Sequence, residues 1–173
     1  MNKNTEVVVV YPTPKTDSPK SPLIILPHGG PHSSFNTLFS TNIAGFVNLG
    51  FTCVLVNYTG STGFGNESIL SLVGKIGQLE VSETFEATRW ALDLSNIDKE
   101  NVFIFGGSHG GFITAHLIAR YPNLYTAGCL RNPVTNVGEM VSNSDIPDWC
   151  FSEAGIAFES QKPKVSSIEG FCI

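Results

Sequence analysis

The chain has 173 residues, 42% of them apolar, a length and composition that suit one domain with a sizeable core. Only 14% are charged, the net charge is −5 and basic residues form no run, which excludes nucleic acid and anionic membrane surfaces as partners. No stretch approaches the roughly 20 apolar residues of a membrane span, and residues 1–4 lead into a short apolar strand rather than a signal-peptide core.

Residues 6–11 read as a β-rich run, and residues 12–22, with four prolines, as a loop. Leu23-Ile24-Ile25-Leu26 is a continuous apolar run between prolines, the mark of a fully buried strand. It breaks at Pro27-His28-Gly29-Gly30-Pro31. A short helix over 41–49 ends at Gly50, and residues 51–58 form the next buried strand. A glycine-rich loop follows over 60–65. Residues 80–94 are helical, with Val81, Phe85 and Leu92 at helical spacing. A third buried strand, 101–105, runs into Gly106-Gly107-Ser108-His109-Gly110-Gly111. A helix then reaches Arg120 and is stopped by Tyr121-Pro122. Residues 126–130 form a fourth strand, and from Thr135 onward the pattern is mixed and loop-rich.

Strands apolar on both faces, alternating with helices, predict an α/β fold: a mostly parallel sheet covered on both sides. The divisions are 1–22 (N-terminal strand and Pro-rich loop), 23–159 (a partial α/β-hydrolase-type domain, incomplete at its C-terminal side) and 160–173 (a divergent tail). The cysteines Cys53, Cys129, Cys150 and Cys172 show no C-x-x-C pairing and read as reduced thiols, three of them buried, in a cytoplasmic protein. No cofactor and no metal are expected.

The chemistry centres on Gly106-x-Ser108-x-Gly110 between a strand and a helix, the nucleophile-elbow pattern. A turn that tight leaves no room for Cβ atoms two residues before and after the serine. The serine adopts a strained backbone that lifts its hydroxyl above the sheet. The helix begins at once, so its N–H groups face a developing anion, and the His109 N–H becomes one oxyanion donor. The His28–Pro31 turn, after another buried strand, offers a second donor, the N–H of Gly30. Singly, each motif also reads as an ordinary glycine turn; two in this order point to acyl transfer.

The base is missing. A serine hydroxyl needs a histidine, and the histidine a carboxylate, in the chain order Ser, Asp or Glu, His. After Ser108 come only His109, held in the elbow, and His116, two turns down the helix as a partly buried histidine. Asp145 and Asp148 follow, with no histidine after them. His28 and His32 precede the serine, at the oxyanion turn.

The segments Pro27–Ser34, Asn57-Tyr58-x-Gly60-Ser61-Thr62-Gly63-Phe64-Gly65, Ser68–Leu72, Gly106–Phe112 and Asp145-Ile146-Pro147-Asp148-Trp149-Cys150 resemble the acylaminoacyl-peptidase branch of the prolyl oligopeptidase family of serine peptidases, over roughly residues 20–159. The resemblance implies a truncated C-terminal catalytic domain of a cytoplasmic exopeptidase that removes N-acylated amino acids from short peptides. Ser108 would be the nucleophile, and the N–H groups of His109 and Gly30 the oxyanion hole. It also implies oligomerisation. The departures are an absent β-propeller, the absent triad Asp and His, and Thr59 where relatives carry arginine, whose loss leaves the order of the active-site loops in question. A catalytically inactive binding module and a general carboxylesterase stand as alternatives. Arg131 and Trp149 are candidate pocket residues; a buried ion pair and a core indole explain them equally well. An unpaired sheet edge and uncovered apolar faces predict self-association.

Overall fold

A computed structural model describes residues 5–13 and 20–156. Five strands form one sheet in the order β1-β3-β2-β4-β5. They are β1 (Glu6–Val10), β2 (Ser21–Pro27), β3 (Thr52–Asn57), β4 (Ile97–Gly107) and β5 (Ala127–Arg131). The β2–β3, β2–β4 and β4–β5 pairs are parallel, and β1 alone runs antiparallel, against β3. The mostly parallel α/β sheet is therefore present. β1 belongs to the same sheet as the strands that follow it.

Among the described residues four helices connect the strands, α1 (Thr41–Asn48), α2 (Asn66–Leu72), α3 (Leu79–Leu92) and α4 (His109–Arg120), and two follow β5, α5 (Val137–Asn143) and α6 (Pro147–Glu153). The stretch after Thr135 is not simply loop. Asn136 caps α5 by accepting the Glu139 N–H, and Pro147 opens α6. Each helix is only seven residues long, too short to declare a periodicity in sequence.

The two sheet faces differ sharply. On one, α3 and α4 bring Val81, Ala87, Phe112, Ile113 and Leu117 onto Leu23, Ile25, Val54 and Ile104, and Cys150 and Phe151 of α6 close the layer. On the other, α1 sets Ile43, Phe46 and Val47 over Ile24, Leu26, Cys53 and Leu55, yet none of its own residues is buried. Trp149 packs on the first core, as a core indole would. Among the described cysteines, Cys53 and Cys150 are buried and Cys129 is exposed, on β5. Burial pushes the Cys53 thiol up to about 12, so it is inert packing rather than a nucleophile. Among the described residues β5 pairs on one side only. The tail and Cys172 lie outside the described residues.

Candidate active site

The C-terminal ends of β2, β4 and β5 lie side by side, the position where parallel α/β sheets present ligand sites. β2 delivers the His28–Pro31 turn, β4 delivers Ser108, and β5 delivers Arg131 in register with Gly107.

Ser108 has φ 56 and ψ −122, a backbone that L-residues rarely adopt. Close packing enforces it. A Cβ on Gly106 would stand 2.6 Å from Thr114 Oγ1 and collide with the carbonyl of Gly110. A Cβ on Gly110 would be driven into the carbonyls of Pro27 and His28, the latter at 3.0 Å. Both elbow glycines are thus required where the sequence placed them. The Ser108 N–H donates to the Arg131 carbonyl (3.0 Å), and the Ser108 carbonyl accepts from Phe112 N–H (3.1 Å) and Val134 N–H (3.3 Å). Asn132, between those two partners, has φ 37. The 131–134 turn therefore holds the Ser108 backbone at both its N–H and its carbonyl.

Ser108 ends at the N-terminus of α4, whose first N–H groups have no intrahelical acceptor; that of His109 is the first of them. The His28–Pro31 turn lies against the Ser108 turn. A Cβ on Gly29 would sit 3.3 Å from Ser108 Cβ, and Gly30 follows at φ +127, where a side chain would meet His32 N at 2.6 Å. An open cleft of about 670 Å³ adjoins Ser108. Leu26, Phe35, Phe46 and Phe105 line it, with Arg131 beside the serine.

All four histidines of the sequence are engaged elsewhere. His28 is 6% exposed, not solvent-facing. Its Nδ1–H donates to the Gly29 carbonyl (2.7 Å), which leaves Nε2 to accept from Ser61 Oγ (2.7 Å). Its ring stacks on Tyr58 at 4.3 Å, and the Tyr58 hydroxyl donates to the His28 carbonyl. Burial, with smaller repulsion from His109 and His32, outweighs the Gly29 bond and brings its pKa down to about 4. His32 donates from Nδ1 to the Gly60 carbonyl (2.8 Å), and its Nε2 lies 3.2 Å from Glu153. Burial raises the Glu153 carboxyl, partly offset by His32 and His109. The His109 side chain turns away from Ser108 and places Nε2 3.2 Å from Glu80 Oε1, which also accepts the Gly77 N–H. His116 sits between Phe112 and Arg120, half-buried as its helix position implied, with its pKa lowered by burial and then by the Arg120 charge. Asp145 and Asp148 are exposed. No histidine or carboxylate of the described residues hydrogen-bonds Ser108.

Thr59 does not leave its loop loose. It is buried, and its N–H and Oγ1 both donate to the Glu83 carboxylate (2.6 and 2.7 Å). A short hydroxyl thus braces the loop where an arginine was expected to be needed. Ser61 lay in a segment the sequence singled out, but its pairing with His28, like the roles of Glu80 and Glu83, carried no sequence signal, because each meets its residue only through the fold. Among the described residues no group of three or more His, Cys, Asp or Glu is placed to hold a metal ion, and no helix is long and apolar enough to cross a membrane.

The sequence model of the prolyl oligopeptidase family matches residues 37–166. Human acylamino-acid-releasing enzyme is 46% identical over 155 residues, which is 90% of this chain and 21% of the human one. The Arabidopsis thaliana acylamino-acid-releasing enzyme is 43% identical over 133 residues, 77% of this chain and 17% of its own. The chain thus spans about a fifth of the length of the curated relatives it matches. An acylaminoacyl peptidase of Pyrococcus horikoshii superposes with a TM-score of 0.83 at 22% identity, covering 97% of this chain and 27% of the archaeal one. A puromycin-hydrolyzing peptidase of Mycobacterium tuberculosis gives 0.80 at 22% identity, over 87% and 24%. The likeness to both shows the same α/β-hydrolase fold.

Proposed function

Because the chain belongs to the prolyl oligopeptidase family, we propose that it carries the nucleophile and oxyanion half of a serine-peptidase site for N-acylated peptides. The carrying observation is the strained Ser108 backbone, held by Gly106 and Gly110 and backed by the His28–Pro31 turn. In this reading Ser108 Oγ attacks the carbonyl of the acylated first residue. The resulting oxyanion accepts hydrogen bonds from the N–H groups of His109 and Gly30. Collapse releases the peptide amine and leaves an acyl-enzyme, which water then hydrolyses. Each oxyanion donor is worth about 3–4 kcal/mol of transition-state stabilisation.

The proton of Ser108 needs an acceptor, and all four histidines are committed to Ser61, Gly60, Glu80 and Arg120. The base is therefore supplied by polypeptide other than the described residues. The short N-acylated substrate follows from the acylamino-acid-releasing relatives. A cytoplasmic setting is consistent with three free thiols.

A fluorophosphonate probe tests this directly. Ser108 of the full chain should be labelled slowly, faster when imidazole is added as a surrogate base, and Ser108→Ala should abolish labelling. Equal labelling of Ser108→Ala overturns the assignment of the nucleophile. Rapid labelling without imidazole overturns the missing base.

A further inference from the structure

We infer that Arg131 selects blocked over free amino termini by electrostatic exclusion; the inference rests on Ser108 as the nucleophile. Among the described residues lining the Ser108 cleft, Arg131 has the only charged side chain. His28, the other titratable group there, stays neutral down to about pH 4. Among the described residues that line the cleft there is no carboxylate to neutralise the guanidinium. Among the described residues the guanidinium has neither a hydrogen-bond nor an ion-pair partner. Arg131 is exposed and forms no ion pair among the described residues, which is not the buried ion pair that was its other explanation.

Backbone pairing fixes where its main chain lies. Arg131 is paired with Gly107 in the β4–β5 register, and its carbonyl holds the Ser108 N–H. The guanidinium lies over Gly107, with Nε and a terminal nitrogen 3.4 and 3.5 Å from where a Cβ on that glycine would be. The guanidinium therefore lies beside the residue that precedes Ser108.

A substrate cut after its first residue cannot keep its amino group far from such a charge. One residue spans about 3.5 Å, so an α-ammonium enters the cleft together with the scissile carbonyl. Both charges then sit well within the Debye length of about 10 Å at 0.1 M salt, and because Arg131 is exposed their repulsion acts largely through water. Acylation removes the ammonium and offers a carbonyl oxygen, which a guanidinium can donate to. The same side chain repels one terminus and accepts the other.

The test is equilibrium binding, which needs no catalytic base. The ¹⁵N-labelled full chain is titrated with N-acetyl-alanyl-alanine amide and with alanyl-alanine amide at pH 6 and low salt, following amide shifts around Ser108 and Gly29. The acetylated peptide should bind about tenfold more tightly, a factor between the bulk-water and near-surface strengths of a like-charge pair. Raising the salt to 0.5 M should shrink the ratio. Raising the pH past the α-amine value of about 8 should abolish it. Arg131→Gln should abolish it at pH 6, and Arg131→Lys should keep it, since the charge excludes and not the planar fork. A ratio unchanged by salt, pH and Arg131→Gln overturns the exclusion while leaving Ser108 in place. Shifts that avoid the cleft for both peptides overturn the exclusion and the site reading together.

Discussion

Gly106→Ala is the substitution that most directly interrogates the elbow. The added methyl would stand 2.6 Å from Thr114 Oγ1 and overlap the Gly110 carbonyl. Neither can retreat cheaply, because the Thr114 hydroxyl already donates to that carbonyl at 2.8 Å inside α4. Relief requires the first turn of α4 to move, which disturbs the bonds from Phe112 and Val134 to the Ser108 carbonyl. Overpacking costs about 1–3 kcal/mol, and a lost hydrogen bond about 1 kcal/mol more. A total near 3 kcal/mol lowers Tm by roughly 6–12 °C in a domain of this size. Gly107→Ala is the control. Its methyl would meet the exposed Arg131 side chain at 3.4 Å and that residue's carbonyl at 3.8 Å, neither of them a clash, so the change should be neutral or stabilise by up to about 1 kcal/mol through the unfolded chain. Thermal melts followed by circular dichroism compare the two. If both variants melt within about 2 °C of each other, less than about 1 kcal/mol separates them and the steric account of the elbow fails.

Acid should destabilise the fold before its carboxylates are the cause. Folded His28 stays neutral to about 4, whereas the unfolded chain takes up that proton near 6.5. Between those values the unfolded state binds more protons, so stability is full above about pH 6.5 and falls toward pH 4, by up to about 3 kcal/mol. Half-buried His116 adds a smaller loss in the same direction, and the raised carboxyl of Glu153 partly opposes both. Urea midpoints against pH should show this slope, and His28→Gln should flatten it. Thr59→Val deletes one hydroxyl bond to a buried carboxylate and should cost about 2 kcal/mol in urea unfolding, whereas Thr59→Ser should recover most of it. In a Cys172→Ser background, Ellman's reagent should find one fast thiol, Cys129, with Cys53 and Cys150 reacting only on unfolding.

Much of the fold was legible because its signals are local. The run Leu23–Leu26 became a buried β2, and the Val81, Phe85 and Leu92 spacing became α3. The short elements escaped. Residues 66–72 form a helix opening on Gly65 at φ 88, and α5 and α6 lie in the stretch that read as loop. Seven residues make two turns, too few for the apolar period to stand out. At the site, Arg131 and Trp149 looked alike as pocket candidates. Tertiary packing separated them, placing Arg131 beside Ser108 and Trp149 against the core.

The amino-acid sequence alone determined the elbow, since Gly106-x-Ser108-x-Gly110 expresses a steric demand among residues a few positions apart. It also determined that no histidine follows an acidic partner downstream. The tertiary structure decided what the existing histidines do. His28 meets Ser61 across 33 residues, His109 meets Glu80 across 29, and Thr59 meets Glu83 across 24. Those separations are closed by crossover connections between strands and helices, and a linear reading carries no distance across a crossover. Burial then did the rest: once the His28 and His109 rings lost water each took a protein partner, and in neither case was it Ser108.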